Sequence, residues 1–286
     1  MAIDYQKLLD FDIPEVRQRI TPRDAILYAL SIGMGQNPLD TRQLDYADHH
    51  RSLKVVPSMA VVLGHPGFWL RNPATGVDAV RLVHGEQSIE LLRPLPIEGE
   101  IVAKTRVTGI VDKGEGKGAL LFSEKAVRVA ASGELIAITR STTFLRGDGG
   151  FGGPSGPVAS PHALPVSPPD ITIELATRPE QALSYRLNGD DNPLHSDPAV
   201  AAKAGFPRPI LHGLCTAGVV THAVLAGLCG YDATRLTGWR LRFTSPVYPG
   251  ETIVTEIWRD GSFRARIKER DVIVINNGHA TVAAPA

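Results

Sequence analysis

Cysteine is almost missing from this chain. Only Cys215 and Cys229 occur in 286 residues, with no paired-cysteine spacing, which argues against both a disulfide framework and a cysteine zinc site and makes a reducing cytoplasm the expected compartment. An excess of either charge is missing too. Thirty basic and thirty acidic residues cancel, so nothing in the overall balance predicts nucleic acid or an anionic membrane as a partner. The opening MAIDYQKLLDFDIPE lacks the basic start and apolar run of a secretory signal, and the closing VAAPA lacks a peroxisomal tripeptide. The longest apolar stretch, GLCTAGVVTHAVLAGLCG from Gly213, is interrupted by Thr221 and His222 and rich in small residues, which predicts a buried helix rather than a membrane insertion. The glycine-rich GDGGFGGPSG follows no βα unit and has no lysine-serine of a phosphate loop. No metal or cofactor signature stands out.

What is present is a pattern written twice. From Gly147 to Asp170, glycine, proline and serine dominate and hydrophobic periodicity disappears, as in a linker. The expected division is therefore residues 1–146, a linker over 147–170, and residues 171–286. TPRDAILYAL from Thr21 matches TRPEQALSYRL from Thr177, each with a capping threonine, a proline in the first turn and an acid three residues after the cap. QNPLD at Gln36 matches DNPLH at Asp191, VVPSMAVV at Val55 falls opposite ILHGLCTA at Ile210, and PLPIEGEIV at Pro94 echoes PVYPGETIV at Pro246. The offset stays at about 151 to 157 residues, the mark of a duplicated unit.

Alternating runs follow in both halves. GEIVAKTRVTGIV, GALLFSEKAVRVA and GELIAITRSTTFL are separated by short hairpin connections, and SFRARIKER places Phe263, Ala265 and Ile267 on one face with Arg264, Arg266 and Lys268 on the other. Each half is predicted to be an α+β unit, an antiparallel sheet curled around one apolar helix.

The second half carries candidate chemistry in YRLNGDDNPLHSDPAV, Tyr185 to Val200. Glycine and Pro193 should end the helix near Asn188-Gly189, leaving Asp190 and His195 on an irregular overhang. There a carboxylate and an imidazole can share one water molecule, one withdrawing a proton as the other delivers one. Asp-x-Asn-Pro also ends helices simply by satisfying backbone N–H groups. The first copy separates the two readings: it keeps Asn37, Pro38 and Leu39 but has Gly35 in place of Asp190 and Asp40 in place of His195, so the turn does not need the pair. PILHGLCTAG puts His212 and Gly213 at the start of the apolar helix. Free N–H groups there suit a thioester oxygen that gains negative charge, although a glycine there also allows close helix packing. Cys215 and His222 read as core, and Glu86 as a strand-end glutamate with a structural hydrogen bond. Arg208, and after it Lys203, are candidates to meet the phosphates of a CoA group; each also fits a solvated surface charge.

The stretch YRLNGDDNPLHSDPAVAAKAGFPRPILHGL resembles the signature of the hydratase 2 family, the R-specific enoyl-CoA hydratases of the MaoC-like group. The likeness extends through LYALSIGMG, VVPSMAVVLG and VHGEQSIELLRPLP to PVYPGETIVTEIW, nearly the whole chain. It implies a double hot-dog fold with a catalytic carboxyl-terminal half and an amino-terminal half that has lost the catalytic residues and widened for bulky acyl chains. It also implies Asp190 and His195 as the catalytic pair, Asn192 orienting the pair or the thioester, and Gly213 donating its N–H. The implied reaction is reversible hydration of a trans-2-enoyl-CoA to the (3R)-3-hydroxyacyl-CoA, as in fatty-acid β-oxidation, with the CoA thioester as substrate, no separate cofactor, and a homodimer as the assembly. Many relatives carry a small residue before the Gly-Asp pair, where this chain has Asn188. A hot-dog thioesterase, attacking the carbonyl carbon, and a non-catalytic acyl-CoA binding protein remain the alternatives.

Overall fold

The computed structural model describes residues 3–284, so the first and last two residues of the two ends discussed above lie outside the described residues. Ten antiparallel strands form one sheet. The first half supplies α1 (Tyr5–Leu9), β1 (Val16–Ile20), α2 (Pro22–Ser31), α3 (Thr41–Leu44), β2 (Leu82–Leu91), β3 (Gly99–Asp112), β4 (Ala119–Val129) and β5 (Leu135–Leu145). The second supplies β6 (Ile171–Ala176), α4 (Gln181–Tyr185), α5 (Pro198–Lys203), α6 (Gly213–Val224), β7 (Leu236–Phe243), β8 (Thr252–Ile257), β9 (Ser262–Ile267) and β10 (Val272–Val282). Strand order is β1-β3-β4-β5-β2-β7-β10-β9-β8-β6. Read from the centre outward the two halves are the same, β2 answering to β7 and β1 to β6. Two curled units were expected; they share one sheet because β2 and β7 pair edge to edge, Gln87 opposite Leu241 and Ile89 opposite Trp239, which leaves neither central edge unpaired.

The second half wraps α6, whose residues from Cys215 to Val224 are all buried. Such a helix is largely apolar on every side because the sheet and the first half cover it all round. Gly218 lies where α6 crosses the end of α2, so close that a Cβ there would overlap Ile32. The first half departs from the expectation of a second central helix: its counterpart is a single 3-10 segment, Pro57–Val61. Gly64 (φ +58°) turns the chain down onto β3 so tightly that a Cβ would overlap Ala103, and Pro66 and Gly67 follow at once, leaving no room for helical continuation.

Capping also differs between the copies. Thr21 and Asp24 form the expected reciprocal box at α2. Thr177 does not cap α4, which starts only at Gln181 after Glu180. Its N–H and hydroxyl both donate to the carbonyl of Glu251, at 2.9 and 2.8 Å, so the end of β6 holds it to the sheet edge. The 147–170 stretch is pinned rather than free. The Asp112 carboxylate accepts N–H groups from Gly114, Gly150 and Gly152 at 2.7–2.8 Å, and these bonds hold its pKa below the usual carboxylate range. Further on, Trp258 Nε1 donates to Ser167 O at 2.9 Å.

His222, in the last turn of α6, meets the hydroxyl of Tyr231 at 3.0 Å, and Gln43 of the first half donates to the same hydroxyl at 3.1 Å. Burial pushes this imidazole down to about 4. Its folded pKa thus lies below the unfolded value near 6.5, so between these limits the unfolded chain binds more protons and stability is lost as pH falls. The linkage is worth about 2 kcal/mol at pH 5. The unfolding free energy from urea titrations should fall by at least that amount from pH 7.5 to 5, since the buried His195 and His212 add to it with the same sign, and His222→Gln should remove this part of the slope; an identical slope in the variant would refute the assignment.

Candidate active site

The overhang is built by a succession of short stops. After α4 a 3-10 turn, Arg186–Asn188, closes on Gly189 in the left-handed region (φ +109°). A second turn, Pro193–His195, is capped by Asn192, whose Oδ1 accepts the Leu194 N–H at 3.2 Å. Between them the Asp190 carboxylate accepts the Asn192 N–H at 3.3 Å. Asn192 therefore acts on both members of the pair: its amide nitrogen holds Asp190 and its side chain shapes the turn that presents His195. Asn188 Nδ2 donates to Ser31 Oγ at 3.0 Å and to Tyr185 O at 2.8 Å, tying the overhang to α2 of the other half.

Asp190 and His195 converge, and a third group joins them. One side-chain donor atom each from Asp190, His195 and His212 lie within 4.8 Å of one another. The rings of His195 and His212 stack at 3.8 Å and 29°, with Tyr185 behind His212 at 5.0 Å. His195 Nδ1 lies 2.9 Å from Ile210 O; a carbonyl only accepts, so Nδ1 carries the proton and Nε2 keeps a bare lone pair. By the same argument His212 donates from Nε2 to Asp190 O at 3.1 Å. Burial lowers the pKa of His195, against the opposing pull of Ile210 O and Asp190. It brings His212 to about 4, helped by the neighbouring His195. Both imidazoles are neutral at neutral pH.

Gly213 is the first residue of α6, after His212 at the N-cap (φ −56°, ψ 135°). Its N–H is one of the free donors of the helix end, and a Cβ there would touch the Phe243 ring at 3.4 Å. Phe243 in turn faces His84 at 4.9 Å, so the first half contributes to the wall. The same trio could also offer donor atoms to a metal ion, since each imidazole keeps one ring nitrogen free after donating to its carbonyl. An acid-base pair beside a free helix N-terminus suits water addition or removal next to a carbonyl.

Other singled-out residues lie elsewhere. Glu86 accepts from Arg242 at 2.6 Å and from Thr142 at 3.1 Å, a tie between β2 and β7 of the structural kind expected. Cys215 is buried, and burial pushes its thiol up to about 12, which rules out a ready thiolate. Arg208 is exposed, donates to Pro249 O at 3.2 Å and lies over the Tyr248 ring at 5.1 Å. Lys203 is exposed at the end of α5. Neither joins the cluster. Sequence reasoning used His212 only to mark the helix start and did not single out His84; His212 adjoined Gly213 in LHGL, whereas the contact of His84 is made only across the two halves.

Comparison with known proteins identifies the family. Residues 19–147 match the MFE-2 hydratase 2 N-terminal domain and residues 160–283 the MaoC like domain. Enoyl-CoA hydratase 2, peroxisomal, of Arabidopsis thaliana is 40% identical over 94% of this chain and 92% of its own. The chain belongs to the hydratase 2 family of MaoC-like dehydratases. A crystal structure of a MaoC-like dehydratase from Phytophthora capsici matches with a TM-score of 0.85 at 34% identity, covering 98% of this chain and 99% of that one. A Mycobacterium tuberculosis protein described as having a double hotdog fold matches with a TM-score of 0.58 at 14% identity over 99% of this chain and 96% of its own, a likeness of fold alone. The ten-stranded sheet of this hydratase 2 relative is that double hot-dog.

Proposed function

We propose that the protein is an enoyl-CoA hydratase, and in reverse a 3-hydroxyacyl-CoA dehydratase, with Asp190, His195 and the Gly213 N–H as its working groups. One observation carries this reading: a carboxylate and a neutral imidazole with a free Nε2 meet within 4.8 Å, in the segment adjoining the N-terminus of α6. In the hydration direction, a water held between Asp190 and His195 gives a proton to the pair, with Nε2 as the open acceptor. Its oxygen bonds to the β-carbon, and the π electrons move toward the thioester oxygen. The Gly213 N–H stabilises that developing charge. The pair then returns its proton to the α-carbon, so both parts of one water are added and the enzyme ends as it began. The (3R) product and the homodimer implied by the family resemblance belong to the same proposal, light scattering being the test of the second. Both cysteines are free and buried, which supports the cytoplasmic placement; the Arabidopsis relative carries the word peroxisomal in its own name.

The deciding assay is crotonyl-CoA followed at two wavelengths. Loss of the enoyl thioester absorbance without release of free thiol is the expected result. Thiol release would mean a thioesterase, and no change in either signal would mean a binding protein.

A further inference from the structure

One buried charge has no part in that mechanism. Lys125 lies in the middle of β4, 5% exposed, on the face of the sheet that looks into the first half. Its Nζ donates to the carbonyls of Val61 and Leu63 at 2.9 and 2.6 Å. An ammonium has three donors, and among the described residues no carboxylate forms an ion pair with it. A buried cation without a counter-charge is disfavoured by several kcal/mol. Burial alone lowers this amine to about 7.

The surroundings are polar as well. Thr105 and Thr139 flank Lys125 on β3 and β5. In the next inward row Ser123, Ser141 and Gln87 stand side by side on β4, β5 and β2, with the two serine hydroxyls 2.8 Å apart. This belt separates two apolar clusters, one around Ile101, Ala103 and Val127 and the other around Val107, Ile110 and Leu121. In a hot-dog half the inner face normally meets an apolar helix; here that helix is missing and the face has kept hydroxyls, an amide and an amine.

The belt leads back to the reacting groups. One row beyond Ser141, Thr143 pairs with His84, whose ring faces Phe243 beside Gly213. Two strands across and two row spacings along put the Cα atoms of His84 and Lys125 roughly 16 Å apart. That suits an acyl chain of about ten carbons. Closer to the overhang, a cleft of ≈ 190 Å³ opens between Gly189 and the Val62–Leu63 wall, whose backbone Lys125 holds.

We propose that Lys125 selects acyl chains ending in a carboxylate, so that ω-carboxy-enoyl thioesters are preferred over methyl-terminated ones of equal length. This rests on the hydratase reading. The carboxylate supplies the missing counter-charge, and the Ser123–Ser141 pair and Gln87 line its approach with hydrogen-bonding groups. Lys125 acts on binding of the distal end and has no place at the reacting carbons.

The test is a ratio within each protein: kcat/KM for the CoA thioester of a ten-carbon 2-enoyl chain whose terminal methyl is replaced by a carboxylate over that for 2-decenoyl-CoA, with an ω-hydroxy chain as a neutral polar control. In the wild type the ratio should be on the order of 10², with the hydroxy chain near the methyl one. It should fall as pH rises through the amine's titration. Lys125→Met should bring it to one or below, and Lys125→Arg should keep it high; because numerator and denominator come from the same variant, a partly folded protein does not mimic the effect. A wild-type ratio near one, or a ratio that Lys125→Met leaves unchanged, overturns the proposal while crotonyl-CoA hydration stands. Failure to hydrate any enoyl thioester overturns the hydratase reading and this inference together.

Discussion

Asp190→Asn should lower kcat/KM for enoyl-CoA hydration by about 10³-fold. The substitution isolates the proton chemistry because the contacts that build the site survive it. Asparagine can still accept the Asn192 N–H that the carboxylate receives at 3.3 Å. The bond from His212 reaches the backbone oxygen of residue 190, which no side-chain change removes. Fold, stack and helix N-terminus therefore remain while the group that shares the water's proton with His195 is lost. The loss should appear in kcat, with KM for crotonyl-CoA little changed. His195→Gln should fall to a similar level, and the double variant little further, because two residues that act as one unit are not additive. Two independent losses that multiply would mean that the residues do not share a water. Full activity in Asp190→Asn would remove the carboxylate from the reaction.

The strands were legible because alternation has a period of two and both halves use one face for the core: β3, β4, β5 and β9 lie where the alternating runs place them. The duplication was legible for the same reason, since matched caps and turns keep their spacing when side chains drift. The missing central helix of the first half was not. VVPSMAVV stands in the repeat opposite the start of the apolar helix, and what stops a helix there is Gly64 lying flat on Ala103, a contact between segments about forty residues apart. The joining of two sheets into one was equally hidden, because an edge strand and a central strand can carry the same alternation. At the site, Asp190, His195 and Gly213 were readable as local motifs on single turns. His212 as a stacked partner and His84 as part of the wall were not, since their contacts depend on how overhang, helix and opposite half meet. Lys125 carried no signal in the sequence, because Thr105 and Thr139 come to lie on either side of it only when β3, β4 and β5 pair. Thr177 shows the converse: its sequence context is that of a cap, yet the adjoining edge of β6 and the Glu251 carbonyl hold it elsewhere.

Removing one hydrogen should show whether the helix N-terminus works as an oxyanion site. Gly213→Pro deletes the N–H and little else, because residue 213 is the first of α6, the helical position where proline is best tolerated. The residue before a proline is driven to extended angles, and His212 already has them at φ −56° and ψ 135°. The added ring meets Phe243, whose atoms begin 3.4 Å from the new Cβ position, a distance of ordinary contact. The helix and the histidine stack should therefore persist, as far-ultraviolet circular dichroism and an unchanged urea midpoint would show. Catalysis should drop by about 10²–10³-fold in kcat, the usual consequence of losing one preorganised donor to a developing oxyanion. Gly213→Ala is the matched control. It keeps the N–H and adds a Cβ at the same place, so whatever it loses measures crowding alone. If the alanine and proline variants are equally slow, the glycine matters for space and the charge on the thioester oxygen is met by some other donor; if proline is slower by the stated factor, the first peptide N–H of α6 carries it.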